Sequence, residues 1–172
     1  ASTVRSGATS WFDVSTPDGV NVIVVGGSGA VFFSNSSGTS WFAGVSGTSN
    51  SIRCVRHANG STYFAMSAGD NGFLAKTENG GLSWTSMTAF PTTYSAQFKT
   101  LSVLSVTEAY VAAQSGSIDP KGLIYRTLDG GSTWTLMGSV SNSLTSLAMY
   151  NSDFGVAGVV NGAVVYALVA GK

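Results

Sequence analysis

Short apolar runs alternate with clusters of Gly, Asn, Asp, Ser and Thr along the whole chain. Inside the runs the pattern has a two-residue period, as in Ile52-Arg-Cys-Val-Arg56, which marks a strand with one buried face. Nowhere does a capped apolar stretch show the period of a helix. Turn pairs stand between the runs at Asp18-Gly19, Asn59-Gly60, Asn71-Gly72, Asn79-Gly80, Asp129-Gly130 and Asn161-Gly162. Such pairs flanked by Val, Phe, Tyr and Thr predict hairpins, so the chain reads as all-β.

The strands also repeat. Gly29-Ala-Val-Phe-Phe33, Gly72-Phe-Leu-Ala-Lys76, Gly122-Leu-Ile-Tyr-Arg126 and Gly162-Ala-Val-Val-Tyr166 recur at steps of 43, 50 and 40 residues. A period of ~40–50 residues is that of propeller blades. The second unit predicts strands Ile52–His57, Thr62–Ser67, Gly72–Thr77 and Leu82–Met87. The third predicts Leu101–Val106, Ala109–Gln114, Gly122–Thr127 and Thr133–Gly138. Trp11–Ser15 opens the first, and the fourth supplies Leu144–Tyr150, Phe154–Val159 and Gly162–Leu168 without an outer strand.

The repeats thus cover about 11–45, 51–88, 98–139 and 143–168 of a single domain spanning 1–172, with an N-terminal strand at 2–6. The favoured architecture is a β-propeller of four four-stranded antiparallel blades. In it the 2–6 strand completes the last blade, closing the ring and removing two exposed edges. The alternatives are that the units form part of a larger propeller, or that the ring closes by assembly with another chain.

Composition narrows the partners. At 172 residues the chain can bury a real core. Charged residues are 9% of it against a usual ~25%, and eight basic residues cancel eight acidic ones. Nucleic acid is therefore not an expected partner, because no Lys/Arg cluster is available for phosphates. An apolar content of 44% argues against disorder, and no run reaches the ~18 residues of a membrane-spanning helix. A start at Ala1 fits processing during export or import, hence an extracytoplasmic location, as well as it fits a trimmed boundary. Cys54 is single and reads as a buried, inert thiol. His57, three residues on, faces the other side of the strand, so the two do not form a catalytic pair.

Three of the runs lead into the same eight-residue box: Ser34-Asn-Ser-Ser-Gly-Thr-Ser-Trp41, Thr77-Glu-Asn-Gly-Gly-Leu-Ser-Trp84 and Thr127-Leu-Asp-Gly-Gly-Ser-Thr-Trp134. Asp129 suits an acceptor for backbone amides of its own turn, Gly130 and Gly131 permit positive φ, and Trp134 offers a large apolar face. The pattern resembles the Asp-box, or BNR repeat. The third box matches fully; the second has Asn79 for Asp and Ser83 for Thr, and the first has Ser36 for Asp. The resemblance implies a propeller with each box between the third and fourth strands of a blade. That family includes sialidases and other glycosidases, sortilin-type receptors and assembly factors like those of photosystem II. The box itself is shared by enzymes and non-enzymes.

Catalytic chemistry finds little purchase. Sialidase-like activity needs an arginine cluster, and Arg5, Arg53, Arg56 and Arg126 do not stand in that context. A glycosidase needs two facing carboxylates. Asp18, Asp70, Glu78, Glu108, Asp119, Asp129 and Asp153 all read as turn residues, leaving Asp13 alone in a strand. One His and one Cys make neither a triad nor a metal site, and no cofactor is expected. A calcium-holding role for the Asp70-Asn71-Gly72 turn is less favoured than a plain hairpin.

The reading that remains is a non-enzymatic interaction scaffold or accessory subunit whose partner is another protein or larger complex. Loops on a rigid frame carry recognition, and the longest are Phe90–Phe98 and Ser115–Lys121, with Phe90 and Tyr94 as apolar contacts. Arg53, Arg56 and His57, close together on one opening strand, would line the channel, where a solvated rim is favoured over a hold on an anion or acidic partner. A glycan-binding module using repeated exposed aromatics is the second reading. A fragment of an Asp-box glycosidase with its catalytic residues elsewhere is the third. Asn35-Ser-Ser and Asn59-Gly-Ser would accept N-glycans in a eukaryotic secretory setting.

Overall fold

Each run pairs with the next through a turn, so the strand ladder of a repeat stays within it. The computed structural model describes residues 10–87, 90, 97–115, 121–160 and 166–169. The first sheet holds β1 (Trp11–Ser15), β2 (Val22–Gly26), β3 (Val31–Ser34) and β4 (Phe42–Ala43). The second holds β5 (Ile52–His57), β6 (Ala65–Gly69), β7 (Leu74–Thr77) and β8 (Thr85–Ser86). β9 (Gln97–Val103), β10 (Ala109–Gln114), β11 (Gly122–Thr127) and β12 (Thr135–Val140) form the third, and β13 (Leu144–Met149), β14 (Phe154–Val159) and β15 (Tyr166–Val169) the fourth. Within the sheets all pairings are antiparallel and the strand order follows the chain, and an isolated parallel bridge joins Val45 to Ser83 of the second box. Among the described residues, helical structure is confined to short 3-10 turns at 27–29 and 70–72. The expected strand at 2–6 lies outside the described residues, as does the Ser115–Lys121 loop between its end residues.

The sheets stack face to face, with inner strands packed in chain order: β1 on β5, β5 on β9, β9 on β13. Between the first two sheets Ile23, Val25 and Val31 meet Ile52, Val55, Ala75 and Trp84. Between the second and third, Met66, Leu74 and Met87 meet Phe98, Leu101 and Trp134. Tyr110 and Ile124 meet Leu144, Leu147 and Met149 between the third and fourth. A buried tryptophan removes roughly 200 Å² from water, worth about 5 kcal/mol at ~25 cal/mol per Å², which makes Trp84 and Trp134 principal anchors.

The boxes are the turns β3–β4, β7–β8 and β11–β12, as the resemblance implies. Thr127 Oγ1 donates to Asp129 Oδ1 (2.8 Å) and accepts the Gly131 amide (2.9 Å), while the Thr133 amide and hydroxyl donate to the Asp129 carboxylate (2.8 and 2.6 Å). Asn79 repeats this with the donor reversed, its Nδ2 donating to Ser83 Oγ at 2.8 Å. Each box also reaches back to the turn between the first two strands of its own sheet. Ser37 N–H donates to Val20 O, Gly80 N–H to Tyr63 O, and Gly130 N–H to Thr107 O. Both sets of turns therefore lie at one end of the molecule.

One expectation is corrected here. Phe90 is 7% exposed, and its ring packs on Phe98 (4.8 Å), Tyr125 (4.4 Å) and Trp134 (5.9 Å). An aromatic side chain gains more from that cluster than from water, so the loop residue supports the core and offers no surface contact.

Candidate functional site

Neighbouring inner strands do not share a ladder, so their edge amides need acceptors from elsewhere. Side chains of the preceding blade supply them. Asp13 Oδ2 accepts the Val55 amide, Ser15 Oγ accepts the His57 amide, and Ser102 Oγ accepts the Met149 amide, each at 3.0 Å. The buried Cys54 sulfur takes a hydrogen bond from the Leu101 backbone and donates to Ala68 O at 3.7 Å. Burial pushes its thiol up to about 12, consistent with an inert, structural cysteine. Cys54 faces the third sheet while His57 reaches Ser15 on the first, which rules out their pairing.

Every inner strand also carries a bulge at the same register, skipping Phe12, Arg53, Lys99 and Thr145. These residues stand near the start of each inner strand, at the end away from the boxes. Arg53 stacks 4.5 Å over the Phe12 ring and makes a two-point pair with Asp70 (3.0 and 2.6 Å). That pair raises the Arg53 pKa. The Asp70 turn is thus an arginine clamp, and Arg53 is separated from its two sequence neighbours.

Arg56 and His57 lie at the box end, where a hollow of about 230 Å³ opens between β5, β9 and β13 beside Asn59, Ser102 and Ala148. Arg56 donates to Asp13 and to Val55 O (2.6 Å), with its side chain still 40% exposed. His57 is buried, its Nδ1 lies 2.9 Å from Ser15 Oγ, and desolvation pulls its pKa down to about 4, against a weaker upward pull from Asp18. The ring is neutral at pH 7, so Arg56 is the single cation of the three at this mouth. Tyr94 lies outside the described residues.

The turns around this mouth carry exposed apolar side chains that sequence reasoning passed over. Val20, Tyr63, Val106 and Tyr150 sit on the first turn of successive blades and Phe154 opens β14, with Tyr63 68% and Tyr150 83% exposed. Asn59, Leu104 and Met149 line the hollow from those same turns or their flanks. The available signal was an apolar residue recurring beside each first-turn Asn, Asp or Thr. A second hollow of about 250 Å³ lies beside the third box, lined by Arg126, Leu128, Thr133, Thr135 and Met137. Neither hollow has a Phe, Tyr or Trp in its lining.

Among the described residues most carboxylates are engaged. Asp13 holds Arg56, Asp70 holds Arg53, Glu108 holds Arg126 (2.7 Å) and the Tyr110 hydroxyl (2.9 Å), and Glu78 meets Lys76 (3.2 Å). Asp18 accepts three hydrogen bonds within its turn and Asp129 those of its box. No group of three or more His, Cys, Asp or Glu able to hold a metal occurs among the described residues.

No family model and no curated protein matches the chain. Solved structures do. YCF48 bound to D1 peptide superimposes with a TM-score of 0.61 at 15% identity, over 94% of this chain and 51% of that one. YCF48 from Cyanidioschyzon merolae gives 0.65 at 16% identity, over 95% and 57%. An ancestral GH74 enzyme gives 0.72 at 17% identity, over 90% and 24%. The fold is that of a β-propeller. These neighbours agree with the Asp-box resemblance, and at such identities the likeness carries architecture alone. The chain spans about half the length of the YCF48 structures it matches. No helix among the described residues is long and apolar enough to cross a membrane.

Proposed function

We propose that this propeller is a non-enzymatic interaction scaffold or accessory subunit that binds another protein at its box end, in an extracytoplasmic compartment. One observation carries the reading: exposed Tyr63, Val106 and Tyr150 stand on the first turns of three successive blades, at the end of the molecule where the hollow with the half-exposed Arg56 opens. Aromatic and arginine side chains are the groups that dominate protein interfaces, and solvent-exposed ones clustered around a concavity mark contact sites. Arg56 gives an acidic group on the partner a place to bind, with Ser102 and Asn59 as hydrogen-bonding neighbours. The similar fold of YCF48 holds a D1 peptide, which supports a protein ligand for this architecture. The engagement of most described carboxylates speaks against hydrolysis, which needs two of them free to face a substrate.

The likeness to GH74 enzymes favours a second reading, a glycan-binding or glycosidase module whose catalytic groups lie in another part of a longer enzyme. One experiment separates the two. Partners captured from native extract by the wild type are compared with those captured by a Tyr63→Ser/Tyr150→Ser double variant and by Arg56→Gln, with and without xyloglucan oligosaccharides. Loss of a defined protein with both variants, unaffected by sugar, is the expected result. Retention by both variants, or displacement by sugar, would overturn the scaffold reading.

A further inference from the structure

Asparagine followed by glycine carries chemistry of its own. The glycine amide nitrogen, with no Cβ beside it, can attack the asparagine side-chain carbonyl and expel ammonia. Four such pairs occur in the sequence, and three lie among the described residues: Asn59-Gly60, Asn71-Gly72 and Asn79-Gly80. The fold treats the three differently. In the second box Asn79 Oδ1 accepts from Thr77 Oγ1 (2.9 Å) and from the Ser83 amide (3.0 Å), and Nδ2 donates to Ser83 Oγ (2.8 Å). The Gly80 amide beside it is committed to Tyr63 O at 3.0 Å. Asn71 donates through Nδ2 to Asn50 Oδ1 (3.0 Å) and holds a left-handed backbone, φ 54°. Asn59 has none of these restraints. With Gly60 it forms the exposed tip of the turn that Ser61 N–H closes on Ala58 O at 3.1 Å. Neither its side chain nor the Gly60 amide makes a hydrogen bond among the described residues. A Cβ on Gly60 would meet nothing within 4 Å, so a ring has room to close around its nitrogen.

Asn59 also lines the hollow at the box end, together with Arg56 and Ser102. We propose that Asn59 deamidates itself through Gly60, and that the carboxylate formed turns the hollow against acidic ligands. Hydroxide takes the Gly60 amide proton as the nitrogen bonds to Asn59 Cγ, and the side-chain nitrogen leaves as ammonia. Water then opens the resulting succinimide at either carbonyl, leaving aspartate or its β-linked isomer. The net change is hydrolysis of one amide, with no oxidation or reduction, and it replaces a neutral group by a negative charge. Arg56 already holds Asp13. A second anion in the same lining competes for the guanidinium and repels an incoming acidic group. The modification rests on the turn alone, whereas its effect rests on Arg56 receiving an acidic group, as in the proposed function.

Two measurements test the two halves separately. Protein from a bacterial host, where the Asn59-Gly60-Ser61 sequon stays bare, is aged for days at neutral pH and body temperature, native and in guanidinium chloride. Peptide mass spectrometry is expected to find all three pairs deamidated in denaturant and Asn59 converted well ahead of Asn71 and Asn79 in the native protein. Native conversion of Asn71 or Asn79 as fast as that of Asn59 overturns the site, as does no conversion at all. For the second half, a fluorescent oligoglutamate peptide is titrated into fresh wild type, Asn59→Ser, Asn59→Asp and Arg56→Gln. Asn59→Asp and Arg56→Gln are expected to weaken binding several-fold, and the neutral Asn59→Ser to weaken it less than Asn59→Asp. Equal weakening by Asn59→Ser and Asn59→Asp would assign the loss to the missing amide and refute the charge effect. A fresh wild type that leaves the peptide unbound sinks the acid-binding reading of the hollow, and the charge effect with it, while the ageing measurement still decides the modification.

Discussion

Ser37 holds a left-handed backbone, φ 53°, at the box position where the other two repeats have Gly80 (φ 70°) and Gly130 (φ 67°). That conformation costs a residue with a Cβ about 1–2 kcal/mol, part of which glycine gives back through the entropy of the unfolded chain. Ser37→Gly is therefore expected to raise stability by up to about 1 kcal/mol in urea unfolding, and Gly130→Ser to lower it by about as much. Gly29→Ala should be worse than either, because its new Cβ would run into the Thr48 carbonyl at a backbone of φ 73°. The titrating residues act at this scale too. His57 binds its proton near pH 4 when folded and near 6.5 when unfolded, so between those values the unfolded chain holds more protons. Stability is complete above about pH 6.5 and declines as pH falls through that window. His57→Gln should flatten that decline in unfolding curves recorded from pH 7 to 4. The Asp129 carboxyl, held down to about 2 by Thr133 and Thr127, gives way only in stronger acid.

At the scale of elements, the blade-to-blade links are side chains answering backbone amides, and they can be removed singly. Asp13→Ala deletes the acceptor for the Val55 amide and the partner of Arg56, and is expected to cost about 2–4 kcal/mol in denaturant unfolding. Asp13→Asn, which keeps an oxygen for the amide, should cost less. Cys54 should resist a thiol reagent at pH 8 in the native protein and react fully once unfolded, since its raised pKa and burial both deny it the thiolate. Much of this level was legible in the sequence. Alternation and turn pairs placed Trp11–Ser15, Ile52–His57, Ala109–Gln114, Gly122–Thr127 and Phe154–Val159 at their observed bounds. The second outer strand was overdrawn, Leu82–Met87 shrinking to Thr85–Ser86, and the third was set two residues early, Thr133–Gly138 against Thr135–Val140, because the box consumes its residues before pairing begins. Phe90 was misjudged because loop length says nothing of an aromatic cluster waiting three strands away. The stitches were hidden by their separations of 42, 43 and 47 residues, yet those are close to the repeat period, and a polar residue on each opening strand was the clue.

At the scale of the whole molecule, the sheets stack in chain order, inner strand on inner strand. The sequence showed the repeats and their number, but not which faces lacked neighbours, since an apolar residue reads alike whether a sheet covers it or not. Strand order within each sheet follows chain order, and the first strands of the second, third and fourth blades take side-chain acceptors from the blade before them. A polypeptide emerging from the ribosome would therefore finish one blade before the next begins, and each finished blade would serve as template for its successor. For the described strands, synthesis and folding then run in the same direction.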